Sequence, residues 1–398
     1  MALDMSSFNA ALKQLYSDQV VQNLVYSDNP FLAMVKKDEQ FYGANFPQPL
    51  IYANPTGRSA SFANAQANVT SSKLKSFILT RVQDYAVATI SNEVLLASQS
   101  DKGAFIQAAK TEIDGALNAV SRSLASGLYR SGTGSLASAS AISSAVITLT
   151  NPDDVVGFEV GMICQMAATD GGTPRTGTIQ LVGVDRNAGT ITASAAVTSG
   201  ISAAVAGDFI LVQGDSNAKV SGLAAWLPFG GVTSTPFFGV DRTADSIRLG
   251  GVWQDGSAKP TEEALIDGVV RIAREGGKPD MAFMSYGDFG KLEKALGAKI
   301  QYVDLKQGDV GFRGIMLSSP TGMIKVIPDL NCPTGYCYIL QMNTWCLRSL
   351  GKAPGLFDTD GQNMLRSSGA DSVDVRITAY VQLACNAPGF NGVIKLPA

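Results

Sequence analysis

Residues 101–130 read DKGAFIQAAKTEIDGALNAVSRSLASGLYR. Phe105, Ala109, Ile113, Ala116, Leu117, Val120, Leu124 and Leu128 recur at steps of three and four, the spacing that gathers apolar side chains on one stripe of an α-helix. At roughly 1.5 Å per residue this predicts a rod of about 45 Å. Ser100 or Asp101 is placed to cap its start, and Gly132 and Gly134 to close its end. Gly103, Gly115 and Gly127 thin one side enough for another backbone to approach. A helix of this length, following a long arm, reads as a spine on which other elements are laid.

Upstream, Phe8, Ala11, Leu12, Leu15 and Val20 predict an N-terminal helix over 6–26, capped by Ser6 or Ser7 and ended by Asn29-Pro30. From Phe41 to about Ile90 the character changes. Prolines stand at 47, 49 and 55, a turn is written at Asn54-Pro55-Thr56-Gly57, and Phe77-Ile78-Leu79-Thr80 favours a strand. Between Gln40 and Gln83 this segment holds Arg58, Lys73, Lys75 and Arg81 and no acid, and from Asn64 to Ser72 its one large apolar side chain is Val69. Such a segment cannot bury a core of its own, so an ordered two-stranded arm that docks elsewhere is expected. Its four basic residues, with Glu262 and Glu263 as acidic partners on a neighbouring copy, are the candidate inter-subunit contacts.

Downstream, residues 136–217 carry seven acids against Arg175 and Arg186, with Phe158 and Phe209 as the aromatics. Val146–Leu149, Met162–Met166, Thr178–Val184, Thr190–Ala193 and Phe209–Val212 are short strand candidates, so this island predicts a small β-barrel or sandwich inserted into a larger α+β domain. Thr261 then caps a helix with Glu262 and Glu263 in its first turn, Leu265, Val269 and Ile272 inward, and a stop at Gly276-Gly277. Asp280–Met284 reads as a strand, and Ser285 with Asp288 starts a helix running through Leu296. Met323–Ile327, Cys337–Leu340, Val373–Leu383 and Val393–Leu396 read as strands.

Composition narrows the function. Of 398 residues, 31 are Lys or Arg and 34 Asp or Glu, so charged residues make up 16% of the chain, against about 25% in ordinary globular domains. A chain so poor in charge expects other subunits to cover much of its surface. There is no histidine, which removes the commonest general base, the Ser-His and Cys-His pairs and most catalytic zinc sites. A pI of 5.2 offers no basic excess for sequence-independent nucleic-acid binding. Neither a membrane-spanning apolar run nor a signal peptide is recognisable. Cys164, Cys332, Cys337, Cys346 and Cys385 have no metal-type spacing and read as reduced, buried thiols.

Three motifs imitate active sites. Gly132-Thr133-Gly134-Ser135-Leu136-Ala137 copies a dinucleotide fingerprint but follows a helix, so it reads as a C-cap and linker. Gly214-Asp215-Ser216-Asn217-Ala218 is a near miss to a nucleophile elbow without a base, and reads as a turn leaving the island. Asp358-Thr359-Asp360-Gly361 lacks the later ligands of a calcium loop and reads as a tight turn. No enzyme activity and no cofactor are expected.

In order, the capped helix, acid-free basic arm, long helix, β insertion and terminal strands resemble the major capsid protein of tailed bacteriophages, of the HK97-like fold. Phe77-Ile78-Leu79-Thr80-Arg81, Ala88-Thr89-Ile90-Ser91-Asn92-Glu93, Leu128-Tyr129-Arg130-Ser131-Gly132-Thr133-Gly134 and Ala387-Pro388-Gly389-Phe390-Asn391-Gly392 carry the local likeness. The resemblance implies an N-terminal arm (1–45), an E-loop (46–92), a P-domain with the spine helix (93–135), the inserted all-β domain (136–217), a P-domain/A-domain connection (218–254), an A-domain (255–350) and P-domain strands with the C-terminus (351–398). It implies hexamers and pentamers in an icosahedral shell that encloses double-stranded DNA without sequence-specific binding, in a virion assembled in the bacterial cytoplasm, with a portal and room for a decoration protein. No N-terminal scaffolding segment is recognisable, so a separate scaffolding protein is expected. Some relatives crosslink subunits through a Lys and an Asn; Lys73 or Lys75 lies in the right arm, but no partner Asn is matched. An encapsulin-type compartment shell shares the fold, and a tail or adhesin-like virion protein shares the β richness without the spine.

Overall fold

The computed structural model describes residues 29–91, 102–297, 302–307, 310–357, 364–366, 369 and 371–397. The helix expected over 6–26 and the turn at Asp358–Gly361 lie outside them. Asn29-Pro30 opens a short helix, Pro30–Met34, with proline at its first position.

In chain order the first strands are β1 (Lys36–Asp38), β2 (Asn45–Ala53), β3 (Lys73–Thr80) and β4 (Val82–Ser91), followed by the long helix Lys102–Tyr129. Then come β5 (Ser135–Ser143), β6 (Val146–Leu149), β7 (Ile163–Ala167), β8 (Ile179–Asp185), β9 (Thr190–Ala193) and β10 (Phe209–Val212). Past a short helix, Leu223–Trp226, lie β11 (Val252–Asp255), the helix Thr261–Arg274, β12 (Met281–Met284) and the helix Tyr286–Leu296. The remaining strands are β13 (Tyr302–Gln307), β14 (Val310–Ser319), β15 (Gly322–Pro328), β16 (Tyr336–Leu340), β17 (Trp345–Ser349), β18 (Gly355–Leu356), β19 (Met364–Arg366), β20 (Ser372–Cys385) and β21 (Gly392–Lys395).

These strands make four assemblies. β20 organises the first: β4 runs antiparallel along one edge, while β19, β18 and β17 line the other in turn, and β1 adds in parallel to β17. Its alternation explains why, since Val373, Val375, Ile377, Ala379 and Val381 all point inward. The long helix packs on β4 and β20 with Ile113, Leu117, Val120, Leu124 and Leu128 buried. The second is a seven-stranded sheet, β11-β21-β16-β12-β15-β14-β13, covered by the helices Thr261–Arg274 and Tyr286–Leu296. The third is a closed barrel, β10-β5-β6-β9-β8-β7, with its own core of Ile147, Phe158, Met166, Ile191 and Ile210. The fourth is the ribbon of β2 and β3.

Two buried polar side chains bolt the first two assemblies together. Asn391, fully buried, accepts from the Gln341 amide and Trp345 Nε1 (both 2.8 Å) and donates to Thr344 Oγ1 (3.0 Å) and the Ala387 carbonyl (2.8 Å). Asp329 accepts from the Phe31 amide (3.2 Å), the Tyr129 hydroxyl (2.9 Å) and the Asn331 amide (2.9 Å), tying the N-terminal segment to the end of the long helix.

Several local expectations change. The helix at 261 has Pro260 in its N-cap position, whose side chain offers no acceptor, and Thr261 is its buried first residue, one position too late to cap it. β5, written SLASASAIS, was not expected; its small inward side chains Ala137 and Ala139 fit opposite the bulky barrel core. The close approach to the long helix comes from the other side: the Gly222 amide donates to the Arg130 carbonyl (2.9 Å), and a Cβ at Gly222 would stand 2.2 Å from the Leu128 carbonyl oxygen and 2.4 Å from that of Gly127. Gly115 faces open space. The helix ends at Tyr129, and Gly132 and Gly134 turn the chain beyond it with φ of 88° and 86°. All five cysteines are free and buried, and burial pushes the Cys164 and Cys385 thiols up to about 12.

The two glycines make opposite predictions. Gly222→Ala should destabilise the chain by about 2–3 kcal/mol through overpacking against the helix backbone. Gly115→Ala should stabilise it by about 0.5–1 kcal/mol by removing backbone freedom from an open helical position. Thermal melts of the unassembled chain read both; melts moving in the same direction would contradict this packing.

Candidate assembly interface

β2 and β3 pair from Asn45↔Thr80 to Ile51↔Leu74, with a register shift between Ile51 and Ala53. Pro47 and Pro49 are tolerated because the ribbon leaves β2 an open edge. An isolated two-stranded ribbon is marginal in water, so its base must be held by the body. Phe77 and Leu79 of β3 are fully buried. Phe77 stacks on Trp226 (5.1 Å between centroids) and Phe237 (6.2 Å), and the Ile78 amide donates to the Phe238 carbonyl (3.0 Å). Trp226 continues the cluster to Phe237 (5.1 Å) and Trp345 (6.4 Å), and its Nε1 donates to the Leu383 carbonyl of β20 (3.1 Å).

Arg242 closes the bracket. Its guanidinium lies 4.4 Å from the Phe237 ring centroid, and Nη1 donates to the Ala225 (2.9 Å) and Trp226 (3.3 Å) carbonyls, the last peptide units of the short helix Leu223–Trp226. Burial pulls its pKa down to about 10. Further out, Gln48 Nε2 donates to Asn386 Oδ1 (2.8 Å) and Arg248 Nη1 to the Tyr52 carbonyl (2.8 Å).

Beyond Tyr52 the ribbon changes character. Thr56 and Thr70 close it onto itself through a backbone bond (2.9 Å) and a hydroxyl pair (2.6 Å). The tip helix Phe62–Ala67 has no buried residue. Phe62 is 83% exposed, Val69 68%, Ile51 59% and Leu74 57%. A second uncovered surface lies on the face of β4 and β20 turned away from the long helix, where Tyr85 and Val87 are each 54% exposed and sit opposite Thr378 and Arg376. Single exposed apolar side chains are ordinary, but an outer ribbon that displays four and buries none is a candidate contact surface.

The six residues expected to bind a neighbour divide. Arg81 is spent inside the chain, donating to the Phe41 carbonyl (2.9 Å) with its guanidinium 5.3 Å from the Phe41 ring centroid. Lys75 helps hold the Asp241 carboxyl below its usual range, after the larger effect of the Thr243 hydrogen bonds. Glu263 pairs with Lys259 (3.2 Å). Arg58, Lys73 and Glu262 have no partner among the described residues. Much of the bracket lies in the connection expected over 218–254, where Trp226, Phe229, Phe237 and Phe238 crowd four aromatics into a short stretch of a chain that is 8% aromatic. That crowding was the available signal.

Two of the three motifs that imitate active sites, Gly132–Ala137 and Gly214–Ala218, form the neck of the barrel. A Cβ at Gly134 would stand 2.2 Å from the Asp215 carbonyl oxygen, the Asn217 amide donates to the Thr133 carbonyl (2.9 Å), and Asp215 pairs with Lys219 (3.1 Å). No helix among the described residues is long and apolar enough to cross a membrane.

A family model described as SU10 major capsid protein matches residues 180–397, more than half of the chain. No curated protein matches it. Among solved structures, a chain of the cyanophage A-1(L) capsid asymmetric unit superposes with a TM-score of 0.54 at 12% identity, over 93% of this chain and 92% of that one. A chain of Mycobacterium phage Cain gives 0.41 at 11% identity, over 100% and 99%. The holo-SrpI encapsulin complex from Synechococcus elongatus PCC 7942 gives 0.44 at 9%, over 99% and 96%. The cyanophage likeness places the chain in the HK97-like fold.

The division of the arm predicts unequal effects in the unassembled chain. Arg81→Ala should lower stability by about 1–2 kcal/mol, since a half-buried guanidinium loses its carbonyl and ring partners. Arg58→Ala and Lys73→Ala should stay within about 0.5 kcal/mol of the parent. Urea unfolding distinguishes them, and equal losses at all three positions would show that the tip is part of the body's own core.

Proposed function

Because the chain belongs to the SU10 major capsid protein family, we propose that it assembles as hexamers and pentamers into the icosahedral shell of a tailed bacteriophage and encloses double-stranded DNA without sequence-specific contacts. The arm carries this reading. A single copy gives the apolar tip nothing to cover, while a neighbouring copy offers the flat face around Tyr85 and Val87. Burial of apolar surface at about 25 cal/mol per Å² makes mutual covering favourable and repeats it at every subunit.

In family terms the ribbon is the E-loop, the long helix with the β20 sheet is the P-domain, and the seven-stranded sheet is the A-domain. A separate scaffolding protein and a portal complete assembly. The barrel lies on the outside of the shell, because its surplus of carboxylates would be repelled by packaged DNA, and there it is open to a decoration protein. No catalytic step is proposed: the family is one of structural capsid proteins.

Sedimentation velocity and electron microscopy of the expressed chain, with and without its scaffold, test the reading. Capsomers or closed shells are expected. Replacing residues 54–72 by two glycines should abolish shells and leave the circular dichroism and melt of the unassembled chain unchanged. Shells from the shortened arm, or a single 41.6 kDa species under all conditions, would overturn it.

A further inference from the structure

β11 is an edge strand. Among the described residues it pairs only with β21, in parallel, through bonds such as the Val252 amide to the Asn391 carbonyl and the Gly256 amide to the Lys395 carbonyl (both 3.0 Å). In a parallel ladder alternate residues bond to alternate sides, so Trp253 and Asp255 turn their backbone groups away from the sheet. An open edge of this kind pairs with any extended chain of suitable chemistry.

Beside that edge is a cleft of about 490 Å³, walled on the other side by Asp267, Val270, Arg271 and Arg274, which lie at helical steps of three and four along Thr261–Arg274. Its acids are already answered. Asp255 accepts from the amide (3.0 Å) and hydroxyl (2.6 Å) of Ser257, which hold its carboxyl below the usual range, and Asp267 pairs with Lys259. Its arginines are not. Arg271 commits Nη1 to the Trp253 carbonyl (3.2 Å), leaving its other nitrogens open, and Arg274 has no partner among the described residues. Gln254, only 6% exposed and lining the cleft, leaves Oε1 without a donor. A buried amide oxygen without a partner is unfavourable, and a donor brought to it removes that cost.

We propose that this cleft binds an acidic peptide in extended conformation, supplied by a separate protein. The peptide backbone extends the seven-stranded sheet along β11, its carboxylates meet Arg271 and Arg274, and a donor-bearing side chain reaches Gln254 Oε1. Among the described residues the chain's own acids do not fit the role. Among the described side chains, the carboxylates without partners are Glu39, Glu112 and Glu262. Glu112 and Glu262 stand on helices, and the Glu39 carbonyl already accepts from the Gly351 amide (3.3 Å). None offers a free extended edge.

Trp253 is a built-in reporter, because it is 40% exposed whereas Trp226 and Trp345 are fully buried. The full unassembled chain is titrated with a blocked peptide alternating valine and glutamate, with the same peptide carrying lysine for glutamate, and with inorganic phosphate. The glutamate peptide should change Trp253 emission saturably and slow hydrogen exchange of the Trp253 and Asp255 amides. Arg271→Ala with Arg274→Ala should weaken it by about tenfold or more, and Gln254→Leu by about fivefold. Both arginines are exposed, so an unchanged melt shows that the double variant folds. Equal responses to the lysine peptide or to phosphate, or no response, would overturn the proposal. So would shells of this chain alone in which Trp253 is already shielded and the peptide no longer binds, since a second copy would then be the occupant.

Discussion

The stacking of Phe77 on Trp226 sets where everything else can go. Trp226 faces the arm on one side and Trp345 of β17 on the other, and its indole nitrogen is fixed to β20. One indole therefore connects a ribbon that cannot fold alone to the sheet that holds the long helix. Each buried ring is worth roughly 1.5–3 kcal/mol by area, and well-oriented pairs add about 0.5–1.5 kcal/mol. That is enough to seat the ribbon's base while its outer half remains uncovered. Arg242 strengthens the seat by placing a cation on Phe237 and on the final carbonyls of Leu223–Trp226, where the helix dipole is negative. A rigid base with an exposed tip delivers apolar side chains to a defined place outside the subunit.

The joint between the two sheets works differently. Asn391 and Asp329 are polar, and each satisfies three or four groups from segments distant in the chain. Burial pushes the Asp329 carboxyl up, while the Asn331 amide, the Tyr129 hydroxyl and the Phe31 amide pull it down by donating to its oxygens. An apolar joint of equal area would tolerate sliding; these bonds permit one arrangement. The Ala387–Gly392 stretch, quoted for its family likeness, is thus a structural device whose centre is Asn391.

What was legible in the sequence follows from what a pattern can carry. The long helix, observed over Lys102–Tyr129, and the strands Val146–Leu149, Thr190–Ala193 and Phe209–Val212 were readable because their apolar spacing is local. β5 was not, because serine and alanine announce no strand until a closed barrel requires small inward residues. The candidate interface was half legible. Lack of core and lack of acid marked the arm, yet nothing local distinguishes Arg81, held by Phe41 forty residues away, from Arg58, which has no partner among the described residues. The bracket was least legible, since it joins positions 77, 226, 237 and 345, and such contacts exist only once the fold exists.

The barrel packs as a unit with a core of its own. Its core residues all fall between Ala137 and Ile210, and none belongs to the body's core. It meets the body through charged and polar pairs, including Arg122 with Glu159 (2.6 Å), Arg130 with Asp154 (3.5 Å) and Thr334 with Asp153 (2.8 Å). Because β5 and β10 pair with each other, the chain enters and leaves side by side. The body therefore resumes where it stopped: the Gly222 amide bonds to the Arg130 carbonyl, and Gly222 is the residue that leaves room for the helix backbone. A barrel whose strands return the chain to its own starting point asks little of the body beyond closing one neck, and such a joint, polar and narrow, leaves the packing of the long helix on β20 undisturbed.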